Sequence, residues 1–301
     1  MTPASITSSA SGFGAAPAGA RLPETTRVGG VRIQVADLSR SLAYYRDVLG
    51  LRVIAAGVTS ASLGVPGLDV ALVTLHAEAG TQPAHGRGTF GLFHFAILLP
   101  DRPSLGRFVA HLASMGVPAG MSDHTVSEAI YLTDPDGLGI EVYADRPQAS
   151  WRYRQQQLVM TTDPLDVENL VAAGASAAWD GMPAGTTMGH VHLHVGDLDA
   201  AAAFYHRALG FDITVWNYPG ALFFAAGGYH HHLGTNVWAP GPAPARDQAR
   251  LLEWTLVVPS ASDIQTIDQR LLGAGHSGAA DGPGWTVLDP WGTALRVISA
   301  H

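Results

Sequence analysis

Two distant stretches of the chain alternate apolar and polar positions in the same way. Val31, Ile33 and Val35 alternate with Arg32, Gln34 and Ala36, and Val191, Leu193 and Val195 alternate with His192, His194 and Gly196. A period of two marks a strand with one buried face. Each stretch then meets an aspartate, Asp37 or Asp197, followed by leucine. Aspartate accepts the free N–H groups of a helix's first turn. The helices predicted next carry Ser41-Leu42-Ala43-Tyr44-Tyr45 and Ala201-Ala202-Ala203-Phe204-Tyr205. They stop at Leu49-Gly50-Leu51 and Leu209-Gly210-Phe211, with glycine where a helix C-terminus prefers it.

A second pair of segments repeats in turn. His94-Phe95-Ala96-Ile97-Leu98-Leu99-Pro100 matches Glu253-Trp254-Thr255-Leu256-Val257-Val258-Pro259. A helix is predicted after each, over 105–115 and 264–272. Further on, Leu132-Thr133-Asp134-Pro135-Asp136-Gly137 matches Val287-Leu288-Asp289-Pro290-Trp291-Gly292, and both are turn signals between strands. The chain therefore holds four units of about 50–60 residues, each strand, helix, then strands. They span 27–90, 91–146, 188–240 and 250–300. Residues 27–146 form a first predicted domain and 188–301 a second. Residues 147–187 connect them, with a short helix expected over 165–173. Residues 1–26, rich in Ala, Ser, Gly and Pro, are expected to be a disordered tail.

Composition narrows the function classes. The chain has 301 residues, 47% hydrophobic and 14% charged, with net charge −8. This balance and the lack of a basic stripe speak against nucleic acid as a partner. No apolar run is long enough to span a bilayer, and the N-terminus lacks a signal-peptide pattern. With no cysteine, thiolate metal sites, disulfides and cysteine nucleophiles are excluded together. These features fit a cytoplasmic protein, and the apolar composition is compatible with a homo-oligomer. Histidine stands out at 14 residues, concentrated between positions 190 and 232.

The strand–Asp-Leu–helix–Leu-Gly signature and the Asp134-Pro135-Asp136-Gly137 hairpin before Ile140-Glu141 resemble the vicinal oxygen chelate superfamily. Gly189-His190-Val191-His192-Leu193-His194-Val195 and Gly228-Tyr229-His230-His231-His232 are similar to its catechol 2,3-dioxygenase-like branch. The resemblance implies an α+β fold of four βαβββ modules, paired into two cup-shaped half-barrels.

Alternation places His190, His192 and His194 on one face of their strand, opposite Val191, Leu193 and Val195. In the second unit Phe93, Phe95 and Ile97 are expected on the helix side, which points His94 into the cup. The family's strand order then sets Glu141 beside His94. Two imidazoles and a carboxylate make the facial triad of non-haem Fe(II) oxygenases. His94, Glu141 and His190 stand at the positions that the resemblance implies for the metal ligands, for Fe(II) or alternatively Mn(II). Familiar two-domain members carry the site in their last two modules. Here the ligands fall in the second and third, so the site must assemble between the two halves.

The positions matching the ligands elsewhere differ. Gly30 matches His190, Glu253 matches His94, and Arg296 matches Glu141, which suggests that Glu253 and Arg296 form an ion pair in a metal-free cup. His231 matches the family's acid–base histidine. Alternation leaves open whether His231 alone, or His230 with His232, faces inward, with His231 preferred. Tyr131 matches the family's active-site tyrosine, and it shares a face with Glu141 only if the hairpin loop holds five residues, 134–138. His124 matches a second family histidine at a spacing shorter by two. The implied reaction is extradiol cleavage of a small aromatic diol by O₂. The alternatives are a glyoxalase-like isomerase or thiol transferase, and a non-catalytic small-molecule-binding protein of the same fold.

Overall fold

The computed structural model describes residues 13–67, 69–84, 88–239 and 241–300. Two eight-stranded sheets carry the fold. One runs, in spatial order, Asp212–Val215, Ala221–Ala225, Leu233–Asn236, Thr187–His194, Gly91–Leu98, Gly139–Asp145, Ser127–Thr133, Gly120–Asp123. The other runs Ala279–Asp281, Gly284–Leu288, Ala294–Ser299, Arg250–Val258, Arg27–Val35, Val73–Ala77, Ser60–Gly64, Arg52–Ala56. The first sheet joins the third and second modules, and the other joins the fourth and first. The α+β class is as expected, but each sheet takes one module from each sequential half. The two cups therefore cut across the expected domains 27–146 and 188–301, because the first strands of modules two and three, and of one and four, pair with each other.

The helices start where the aspartates stand. Asp37 accepts from the Arg40 N–H and Asp197 from the Ala200 N–H, which satisfies groups a helix leaves unpaired at its first turn. The helix over Arg102–Met115 is capped by Asp101, and the one over Ala261–Gly273 by a capping box from Ser260 to Asp263. The repeated tyrosine in the first helix of each half locks onto the repeated turn. The Tyr45 hydroxyl donates to Asp134 at 3.0 Å, and the Tyr205 hydroxyl donates to Asp289 at 2.8 Å. The other oxygen of each aspartate accepts two backbone N–H groups of its own loop, at 2.8 to 2.9 Å. A buried carboxylate is stable only with such partners. Consecutive modules are therefore tied together although they belong to different sheets.

One apolar cluster spans both sheets, from Val31, Ile33 and Val35 to Phe95, Ile97, Val191, Leu193 and Val195. Phe93 departs from the expected pattern. Pairing between Thr187–His194 and Gly91–Leu98 slips by one residue between Met188 and His190, and again between His192 and Leu193. The first slip is a bulge at Gly189 and the second a bulge at Phe93. A bulge reverses alternation beyond it, so Leu92, Phe95 and Ile97 face the core while Phe93 joins His94 on the cup side. The same two offsets recur between Arg27–Val35 and Arg250–Val258, so the bulges belong to the repeat.

Gly189 has a steric reason. A Cβ there would lie 1.9 Å from the Tyr143 hydroxyl oxygen and 2.6 Å from its ring, and Tyr143 is fully buried. Gly189→Ala is expected to destabilise the protein by about 1–3 kcal/mol through overpacking, read from denaturant midpoints. Unchanged midpoints would show that Tyr143 has room to move.

Two expectations need correction. Arg296 does not pair with Glu253. Its guanidinium donates to the Asp281 carboxylate at 2.8 Å and the Asp281 carbonyl at 3.0 Å, because the hairpin strand Ala279–Asp281 lies within closer reach. Glu253 sits opposite Arg32 in the register. The tail expected over 1–26 is packed from residue 13 onward, while residues 1–12 lie outside the described residues. Phe13 packs on Tyr153, Leu22 is buried, and Arg21 makes a two-pronged contact with Asp212 at 2.7 and 2.8 Å. Two well-placed apolar side chains anchor a segment whose average composition is that of a linker.

Candidate metal centre and substrate cavity

His94, Glu141 and His190 come from three adjacent strands, Gly91–Leu98, Gly139–Asp145 and Thr187–His194. Ala96 pairs with both Glu141 and His190, and His192 pairs with His94. Paired residues share a face, so all three candidate ligands project from one side. His94 Nε2 lies 3.0 Å and His190 Nε2 3.2 Å from the same oxygen, Glu141 Oε2. The three ligand atoms lie within 4.8 Å of one another. All three residues are 5% exposed or less.

This donor set suits a divalent cation. Burial pushes the His190 imidazole down to about 4, so at neutral pH it is uncharged and can offer a lone pair. Burial disfavours the Glu141 anion, yet His190 and His94 outweigh it and hold the carboxyl well below its ordinary range. His94 Nε2 is buried beside that carboxylate without a hydrogen bond. A buried nitrogen so placed and unsatisfied costs about 1–3 kcal/mol, and coordination would remove that cost. In the other sheet Gly30 occupies the position of His190, where a Cβ would meet the Ala71 carbonyl oxygen at 2.7 Å. No ligand-type side chain could stand there.

The triad opens onto a cavity of about 840 Å³, ample for a small aromatic molecule. His231 lines it, with its ring 4.0 Å from that of His190 between centroids. His230 and His232 turn elsewhere, His230 to Asp145 and His232 to the Ala226 N–H. The five-residue loop is present, since Thr133 pairs with Gly139 and Tyr131 with Glu141. Tyr131 therefore faces the cavity. Its hydroxyl lies 2.6 Å from His124 Nε2, and His124 Nδ1 lies 2.6 Å from the Thr161 carbonyl. The carbonyl only accepts, so Nδ1 carries the hydrogen and Nε2 accepts from Tyr131. The shorter spacing thus still brings His124 to the site. Burial, then the Glu141 carboxylate, pushes the Tyr131 phenol well above its ordinary value, so it stays neutral.

Other wall residues were not assigned from the sequence. Phe93, Phe223 and Trp238 line the cavity, whereas Phe224 is in the core and Trp216 lies outside the lining. The connector adds Met160, Thr161 and Thr162. It also carries the expected helix, over Val167–Gly174, and a short hairpin, Tyr153–Arg154 with Gln157–Leu158. His192 is held by Asn236, whose amide lies 3.0 Å from His192 Nε2, while Asn236 Oδ1 is 2.6 Å from His194 Nδ1. Gly234 could have signalled His192, since a Cβ there would meet its ring at 2.8 Å. No helix among the described residues is long and apolar enough to cross a membrane.

Comparison with known proteins bears on the fold and the family. A curated relative, the catechol-2,3-dioxygenase of Bacillus subtilis (strain 168), is 42% identical over 272 residues, which cover 89% of this chain and 95% of the relative. Among solved structures, glyoxalase I from Zea mays superposes with a TM-score of 0.56 at 18% identity, covering 91% of this chain and 92% of that one. The cppA protein from Streptococcus pneumoniae TIGR4 gives 0.54 at 12% identity, covering 91% and 100%. These two show the shared fold. Residues 27–142 and 187–293 match the model of one family. With the repeated modules, the paired sheets and that match together, the chain belongs to the glyoxalase/bleomycin resistance protein/dioxygenase superfamily.

Proposed function

We propose that this protein is an extradiol dioxygenase that cleaves a catechol-type aromatic diol with O₂. In this reading His94, Glu141 and His190 hold a divalent metal, Fe(II) in preference to Mn(II). One observation carries it: two imidazoles and one carboxylate meet at a buried point on the wall of a cavity sized for an aromatic ring. The named activity of the 42% identical relative supports the same reading. Bound there, the metal supplies open coordination positions for both diol oxygens and lowers their hydroxyl pKa.

The chain's own residues do the rest. Phe93, Phe223 and Trp238 present apolar surfaces to the ring and exclude water. Tyr131, donating to His124, offers its oxygen lone pairs to a substrate hydroxyl. Burial, reinforced by His190 and His230, keeps the imidazolium form of His231 unfavourable. His231 is therefore neutral and offers a ring lone pair to a diol hydroxyl, the position from which a general base acts.

The test is oxygen uptake, followed together with visible absorbance. Protein loaded anaerobically with Fe(II) is mixed with catechol and air, beside His190→Ala. The expected outcome is uptake with a yellow ring-opened product, absent in the variant. A protein that holds the metal yet turns over none of several catechols would overturn the reading.

A further inference from the structure

A line of hydrogen bonds runs from the cavity along the buried side of the sheet to a second depression. His231 Nδ1 lies 2.7 Å from His230 Nδ1, and His230 Nε2 lies 2.8 Å from Asp145 Oδ1. Asp145 ends the strand that carries Glu141, Gly139–Asp145, and shares its face with Glu141 and Tyr143. Its side chain is 27% exposed. There it lines a second cavity of about 660 Å³, with Arg146, Trp151 and Tyr229. His230 itself is wholly buried.

The chain of bonds has a direction. An ionised carboxylate only accepts, so the hydrogen between His230 and Asp145 sits on His230 Nε2. A neutral imidazole carries one N–H, which leaves His230 Nδ1 as an acceptor. The hydrogen between the two Nδ1 atoms then belongs to His231. With Nδ1 protonated, His231 keeps a bare Nε2, the nitrogen left for the cavity. The tyrosines point the same way. Tyr229 gives its one hydroxyl hydrogen to Asp145 at 3.0 Å, so Tyr143, 2.7 Å away, donates to Tyr229. Every donor in the network aims at Asp145.

We propose that Asp145, acting through His230, is a positioning residue that fixes His231 in the tautomer with a bare Nε2 facing the cavity. The assignment deepens the reading given above, since it makes His231 an acceptor for a substrate proton. Positive charge that forms on His231 then faces the Asp145 carboxylate through the single intervening imidazole of His230. Without Asp145 nothing sets the direction, and His231 can equally turn an N–H to the cavity, where it cannot act as a base.

The tautomer can be read without metal or turnover. In metal-free protein labelled with 15N-histidine, His231 ring signals are assigned by comparison with His231→Gln. The wild type is expected to show His231 protonated at Nδ1 and bare at Nε2, with His230 protonated at Nε2. Asp145→Ala is expected to mix the two His231 tautomers, and Asp145→Glu to restore one. In Fe(II)-loaded protein, Asp145→Ala is expected to lower kcat about 10–100-fold, the scale of lost orienting partners. KM and metal content stay unchanged, and Asp145→Glu recovers most of the loss. A wild-type His231 with its hydrogen on Nε2 overturns the proposal even if no variant folds, as does an Asp145→Ala protein with wild-type tautomers and kcat. Failure of every catechol in wild-type protein would instead sink the proposed reaction, with the tautomer result still deciding the role of Asp145.

Discussion

Glu141→Gln is expected to fold normally, to lose its metal, and to lose turnover by more than about 100-fold, beyond what an orienting partner costs. Glu141 supplies the only negative charge among the three candidate ligands. The two imidazoles contribute lone pairs but no charge, and an amide oxygen cannot replace a carboxylate facing a divalent cation in a buried site. The fold has little reason to object. Glu141 is 2% exposed, and an amide of the same shape can donate to the imidazole nitrogens it faces. Removing a buried anion also removes a desolvation cost. The metal-free variant should therefore melt at or slightly above the metal-free wild type. The contrast appears on adding metal. At one hundred times its Kd, a bound ion stabilises the wild type by about 2.7 kcal/mol, a rise of several degrees, and the variant should show none. Elemental analysis after desalting gives an independent reading. A variant that retains wild-type metal content and the wild-type melting shift would remove Glu141 from the ligand set.

Much of this site was legible in the sequence because strands report side by side. The alternation around Val191, Leu193 and Val195 committed His190 and His192 to the opposite face, and the register keeps them there. The resemblance, whose ligand positions fall in the second and third modules, also implied that these two meet, and they share a sheet. Bulges were the main blind spot. Nothing in Leu92-Phe93-His94 marks an extra residue, and the slip that moves Phe93 to the cavity depends on pairing with a distant strand. Charge pairing failed for a related reason. Glu253 and Arg296 stand on neighbouring strands, but a long guanidinium takes whichever carboxylate its own hairpin presents, here Asp281. The packed segment from residue 13 rests on Phe13, Leu22 and Arg21, too few residues to shift a compositional average. Asp145 was invisible because it acts through His230, and adjacency in space of residues 85 positions apart leaves no local trace.

His231→Ala is expected to lower kcat by about 10²–10⁴-fold while metal content and melting temperature stay near wild type. That range is typical for removal of a general acid or base. The separation from a ligand effect follows from the geometry. His231 packs on the ring of His190 but is not among the three convergent ligand atoms, so its loss leaves the donor set intact. Truncation also frees His230, whose Nδ1 then has no partner. It keeps its bond to Asp145, so the cost to the fold is confined to one hydrogen bond, about 1 kcal/mol. Substrate binding should weaken little, because the proposed chelation and the aromatic walls from Phe93, Phe223 and Trp238 remain. The loss therefore belongs in kcat, with KM little changed. Replacing His231 by Gln offers a finer reading. An amide can accept a hydrogen bond but cannot take the proton, so it should bind the diol as the wild type does and turn over as slowly as the Ala variant. Full activity in the Gln variant would show that His231 only positions the substrate. Loss of metal in either variant would show that it supports the ligands instead.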